Sequence, residues 1–203
     1  MIELGRARET DIVLAFLKAE TDRWHNNSSV QTFLSSVGVT NERLIHADFQ
    51  GDYANKLRAC VLDAFRGYLR KDGIFRRFPN GAVWRRVELE PTDLSRLRYV
   101  KSIEWLEISD GTRLPQRAVE MLDGGQRTDG AHLANAALKV AGIKKSLESG
   151  ERLFELVAVE GQGDDLILVE GAHRTTTYVA LRWTKNLPAL IGRSPFMPNW
   201  AFY

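Results

Sequence analysis

Hydrophobic positions recur every three to four residues in the first part of the chain and give way to short, unbroken apolar runs in its last third. Ile12, Ala15, Phe16 and Ala19 stand at helical spacing behind Thr10-Asp11, which cap a helix that Asn26-Asn27-Ser28 ends. A stronger amphipathic helix follows Gly51. Tyr53, Leu57, Cys60 with Val61, Ala64 with Phe65, and Tyr68 with Leu69 draw one apolar stripe; Asp52 sits near its start, and Arg70-Lys71 precede the closing Gly73, as the helix dipole favours. Cys60 lies in that stripe and reads as a small core hydrophobe.

At Gly73 the period changes. Residues 74–78 and 82–89 predict two strands around Pro79-Asn80-Gly81, which puts a boundary near residue 75. Pro91-Thr92-Asp93 opens a short irregular or helical piece, residues 101–109 fit either strand or helix, and residues 115–122 predict a short helix. Thr128 or Asp129 caps the next helix, along which Leu133, Ala136, Ala137, Val140 and Leu147 face one way until Ser149-Gly150. Residues 153–159 and 166–169 are apolar runs joined by a Gly/Asp-rich turn, a hairpin pattern; residues 175–183 then predict a helix and 189–191 a strand. The tail from Phe196 to Tyr203 is too aromatic for a free end and is expected to dock. The expected fold is α+β, with a helical region over residues 1–75 and a mixed domain over 76–203.

Composition narrows the function. The 203 residues are 44% hydrophobic and 27% charged with a net charge of +2, which excludes disordered and collagenous chains. One cysteine offers neither an intramolecular disulfide nor a thiolate metal site, and His25 and His46 have no partner at metal spacing, so no structural metal is expected. No stretch approaches the roughly 18 apolar residues of a membrane span, and the start lacks a signal-peptide core. A cytoplasmic protein with no membrane partner is the expectation. From Arg66 to Lys101, ten basic residues stand against four acidic ones, a local excess of +6. Such a run either attracts the phosphates of a nucleic acid or nucleotide, or is a solvated strand face.

The densest candidate chemistry is Glu170-Gly171-Ala172-His173-Arg174-Thr175-Thr176-Thr177, where an apolar strand gives way to a helix. The first amides of a helix have no internal acceptor and carry partial positive charge, glycine allows close approach, and arginine offers a planar fork to phosphate oxygens. The alternative is structural, with His173 capping the turn and Arg174 paired to Glu170.

The order of helix, Gly150, strand, Gly/Asp turn and Leu-Ile-Leu-Val-Glu-Gly-Ala-His-Arg-Thr-Thr-Thr-Tyr-Val-Ala-Leu resembles the ParB/sulfiredoxin superfamily over roughly residues 83 to 192. Members of that family close a nucleotide site with a Gly-x-(His/Arg)-Arg box at a helix start. The resemblance implies that His173 and Arg174 contact the phosphates of ATP or another nucleoside triphosphate, with Gly171 permitting close approach and Thr175 and Thr176 as supplementary donors. Sulfiredoxin has its catalytic cysteine where this chain has Ala172, so sulfinate repair is not expected. Partition proteins carry Gly-Glu-Arg-Arg and continue into a helix-turn-helix module, whereas here some 20 residues follow the box helix. The free serine kinase branch, with Gly-His-His-Arg, stands nearest.

That branch implies an ATP-dependent small-molecule phosphotransferase or NTPase using Mg²⁺ and a carboxylate that orients or deprotonates an acceptor hydroxyl. Glu170 adjoins the box, and Glu104 and Glu107 lie in the segment matching the family's acidic region; the alternative for each of the three is simply to balance nearby arginines. The partners expected are a nucleotide, an acceptor of unknown identity and, through the first helices, a second copy of the chain. A different class of function, a nucleotide-switched DNA-binding regulator, would use the basic run. His132 at a helix start fits a capping or surface role, and the tail's Arg193, Asn199 and rings either pack or enclose an acceptor.

Overall fold

The computed structural model describes residues 1–46, 48–124 and 131–203. Along the chain, strand β1 (Ile2–Ala7) precedes helices α1 (Glu9–Ala19), α2 (Thr21–His25), α3 (Ser28–Ser36), α4 (Asn41–Ile45) and α5 (Asp52–Arg66). Strands β2 (Val83–Leu89) and β3 (Leu97–Tyr99) lead into α6 (Ile103–Ile108), α7 (Pro115–Asp123) and α8 (Ala131–Glu148). The chain then forms β4 (Leu156–Glu160), β5 (Leu166–Glu170), α9 (Ala172–Ala180) and β6 (Leu187–Arg193). Among the described residues six strands share one mixed sheet in the order β1-β2-β6-β4-β5-β3, an α+β architecture.

The last third follows the apolar runs closely. Residues 156–159 and 166–169 are buried without alternation, as inner strands covered on both faces must be. β4 and β5 form the expected antiparallel hairpin, closed by the Gly161 amide donating to the Asp165 carbonyl at 2.7 Å. β6 then returns parallel to β4, and β3 lies parallel to β5 on the far side. α1 packs on β4, while α7 and α8 both pack on α9. The aromatic tail docks as expected: Trp200 is 2% exposed, its indole donates to the Ile74 carbonyl at 2.7 Å, and it meets Phe78 edge-on.

Four expectations are corrected. Residues 74–78 are not a strand: a short 3-10 turn (Gly73–Phe75) and a left-handed Arg77 fold the segment back, so Phe75 and Phe78 enter the core from a loop. The region before residue 75 is not wholly helical, since β1 forms the edge of the sheet beside β2. Cys60 is exposed rather than in the core. The buried arc of α5 is Ala54, Leu57, Arg58, Val61 and Leu62, and the helix ends at the left-handed Gly67 rather than at Gly73. Arg58 takes an apolar position because its guanidinium donates to the Leu44 and His46 carbonyls, at 2.8 and 3.0 Å. The segment 101–109 resolves as helix α6, with Ser102 as its cap. The Thr128 or Asp129 cap lies outside the described residues.

Candidate functional site

β5 ends at Glu170, Gly171 turns the backbone left-handed at φ 101°, and α9 begins at Ala172. Two constraints make residue 171 a glycine. The positive φ disfavours a side chain, and a Cβ there would stand 2.4 Å from Leu156 Cδ2 and 3.2 Å from Arg174 Nη2. The glycine therefore packs the turn against β4 and against the box's own arginine. The first intrahelical bond is Thr175 N–H to the Gly171 carbonyl at 2.8 Å, so the amides of residues 172–174 form the open end of the helix.

Arg174 is 7% exposed and turned inward. Its Nη1 donates to the Phe154 and Glu155 carbonyls, and its Nη2 pairs with Glu170 Oε1 at 3.2 Å. It thereby ties the start of β4 to the end of β5. Thr175 and Thr176, the expected supplementary donors, are also internal, at 0% and 1% exposed. The Thr176 hydroxyl shares a 2.6 Å hydrogen bond with Tyr99 and reaches the Ala172 carbonyl at 2.9 Å. Thr177 bonds the His173 carbonyl in the same way, which lets a run of β-branched residues sit in a helix.

Two side chains of the segment are left uncommitted: the buried Thr175 hydroxyl, which has no hydrogen-bond partner, and His173. Its ring meets Trp105 of α6 nearly edge-on, with centroids 4.8 Å apart, and its buried Nε2 has no hydrogen-bond partner. Burial, with a smaller push from the Lys139 ammonium on α8, lowers the imidazole to about 4, so it is neutral at pH 7. Trp105 in turn stacks on Tyr99, so α6, β3 and α9 form one continuous aromatic and hydroxyl cluster behind the turn.

The three candidate carboxylates separate. Glu107 pairs with His132 Nδ1 at 2.9 Å on the exposed side of α8, which raises that imidazole and identifies His132 as a surface group. Glu104 adds to the same rise of His132, and both it and Glu170, which is ion-paired with Arg174, favour the charged form of Arg66 at the end of α5. Burial lowers that guanidinium, and Glu170 and then Glu104 oppose the shift. Arg66 also forms a bidentate pair with Glu20, beside α1. In a linear count Arg66 is one charge of a basic run; a partner 46 positions earlier carries no local signal.

That run is largely neutralised. Of its ten cations, six are ion-paired: Arg66 to Glu20, Arg70 to Asp63, Arg85 to Glu3 and Glu160, Arg86 to Glu155, Arg96 to Asp93 and Arg98 to Asp165. Lys71 lies over the Tyr68 ring and Arg76 over Phe202. The local excess of +6 is thus cancelled mainly by acids outside the run.

The two best-formed depressions measure about 420 Å³, lined by residues 42, 43, 46, 48 and 49, and about 200 Å³, beside Arg66 and Arg70. Neither includes residues 171–177. Among the described residues no three His, Cys, Asp or Glu side chains are gathered for a metal, and no helix is long and apolar enough to cross a membrane. No family model, curated protein or solved structure matches the chain.

Proposed function

We propose that the turn from Gly171 to Arg174 is a polyphosphate-binding element of the ParB/sulfiredoxin type, and that the protein uses ATP or another nucleoside triphosphate to phosphorylate a small acceptor or hydrolyses it. The observation that carries this reading is the open first turn of α9 beside a neutral imidazole whose buried Nε2 has no hydrogen-bond partner. In this reading the amides of residues 172–174 and His173 receive the phosphates. Arg174 is a positioning residue: spent on Glu170 and two carbonyls, it fixes the turn from behind.

Glu104 is the acceptor's base. Glu107 is paired with His132 and Glu170 with Arg174, whereas Glu104 carries no salt bridge among the described residues. The acceptor oxygen attacks the terminal phosphorus, the bond to the leaving nucleoside diphosphate breaks, and the hydroxyl proton passes to the Glu104 carboxylate. Mg²⁺ takes most of its oxygens from phosphate and water and needs as little as one protein carboxylate, which Glu170 at the turn would supply. When bound it neutralises phosphate charge.

Calorimetric titration with ATP, CTP and GTP in the presence of Mg²⁺ tests the reading. Micromolar binding of at least one nucleotide is expected, weakened about tenfold or more by His173→Ala. Glu104→Gln should keep that binding and lower turnover about 100-fold or more. No heat from any nucleotide would overturn the proposal.

A further inference from the structure

The two edges of the sheet are finished differently. At β3 the outer edge is covered: the Tyr99 amide donates to the Arg113 carbonyl at 2.9 Å, and just beyond it the Lys101 amide reaches Phe202 of the tail. At β1 it is not. Among the described residues, no backbone hydrogen bond from outside β2 reaches residues 2–7, and Ile2 and Leu4 are 45% and 55% exposed. A bare strand edge presents a row of unpaired amides and carbonyls, ready to accept another strand.

We propose that β1 is the surface through which two copies of this chain associate, their first strands pairing antiparallel about a two-fold axis so that one sheet runs through both. The occupant is identified by charge. Glu3 stands opposite Val87 and Arg6 opposite Arg85, and the register shift between Glu3 and Gly5 brings these two side chains, three positions apart, to the same side of the sheet. In an antiparallel pair of identical strands, setting Glu3 against Arg6 of the second copy necessarily sets Arg6 against Glu3 of that copy, with Ile2 facing Ala7. The strand is therefore complementary to itself. Arg6 has no ion pair among the described residues, and Glu3 reaches only Arg85, at 3.5 Å. Six residues of strand per copy bury less than a stable interface needs, so the association is weak and concentration-dependent. It is independent of the nucleotide reading.

Sedimentation equilibrium over a series reaching the hundred-micromolar range tests it. The wild-type chain should populate a dimer. Glu3→Arg and Arg6→Glu each place like charges at both symmetric positions and should weaken it about tenfold or more, while the double exchange restores it. An equimolar mixture of the two single variants should form a one-to-one complex. The arginine introduced in one chain then faces the glutamate introduced in the other, and the native pairing of Glu3 with Arg6 is kept at the second position. Because these side chains are exposed, unfolding temperatures should stay near wild type and show that each variant is folded. A wild-type chain that stays monomeric, single variants as dimeric as wild type, or a double exchange that fails to recover would each overturn the proposal.

Discussion

The strand-to-helix turn at residues 170–177 and the basic run from Arg66 to Lys101 are both cation-bearing segments that a linear reading assigns to anion binding, and the fold treats them in opposite ways. In the run, arginines at the surface are matched with carboxylates such as Glu3, Glu155, Glu160 and Asp165, and little net field remains. At the turn the guanidinium is buried and serves the architecture, while the backbone end of α9, the Thr175 hydroxyl and one imidazole stay uncommitted. Positive charge in sequence is thus a poor guide to an anion site; unsatisfied donors in the fold are a better one.

The sharpest way to break this contrast is to remove one arginine from each region. Arg174→Ala would leave the Glu170 carboxylate and two carbonyls at a nearly buried position, and should cost about 3 kcal/mol or more in urea unfolding. Gly171→Ala comes next, at about 2–3 kcal/mol, because the methyl meets Leu156 and the φ is unfavourable.

A third effect depends on pH. His173 titrates near 4 in the folded chain and near 6.5 when unfolded. Below pH 6.5 the unfolded state gains a proton that the folded state refuses, so stability should fall between pH 6.5 and pH 4 and be flat above that window. His173→Gln should remove up to about 3 kcal/mol of that fall. A wild-type curve as flat as the variant's would mean that the imidazole is solvated and the turn different from that described.

The smallest effect belongs to the basic run. Arg86→Gln, which breaks a partly exposed pair with Glu155, should cost below about 1 kcal/mol. Equal costs for Arg86→Gln and Arg174→Ala would erase the distinction between the two regions.

How far the fold is legible in the sequence follows burial. Residues 156–159 and 166–169 announce their strands because both faces are covered, and the turn between them and α9 are readable from glycine and aspartate. β1 leaves no such trace, because Ile-Glu-Leu-Gly-Arg-Ala lies exposed at an edge and carries no burial period. Residues 74–78 mislead because aromatic residues entering a core from a loop resemble a strand, and the apolar stripe of α5 misses its true face because Arg58 occupies an apolar position. At the site, the segment from Glu170 to Thr177 stands out by its residues alone. The ion pair of Arg174 with Glu170, four positions apart, is legible locally, whereas its bonds to the Phe154 and Glu155 carbonyls and the pairing of Arg66 with Glu20 join residues distant in sequence, which no local pattern encodes.

The central claim, that the open end of α9 receives a polyphosphate, is tested most directly by following backbone amide resonances during titration with nucleotide and Mg²⁺. The account predicts the largest shifts at Ala172, His173 and Arg174, with the Glu3 and Arg6 amides unmoved. Saturable shifts centred elsewhere, or none at these three amides, would contradict it.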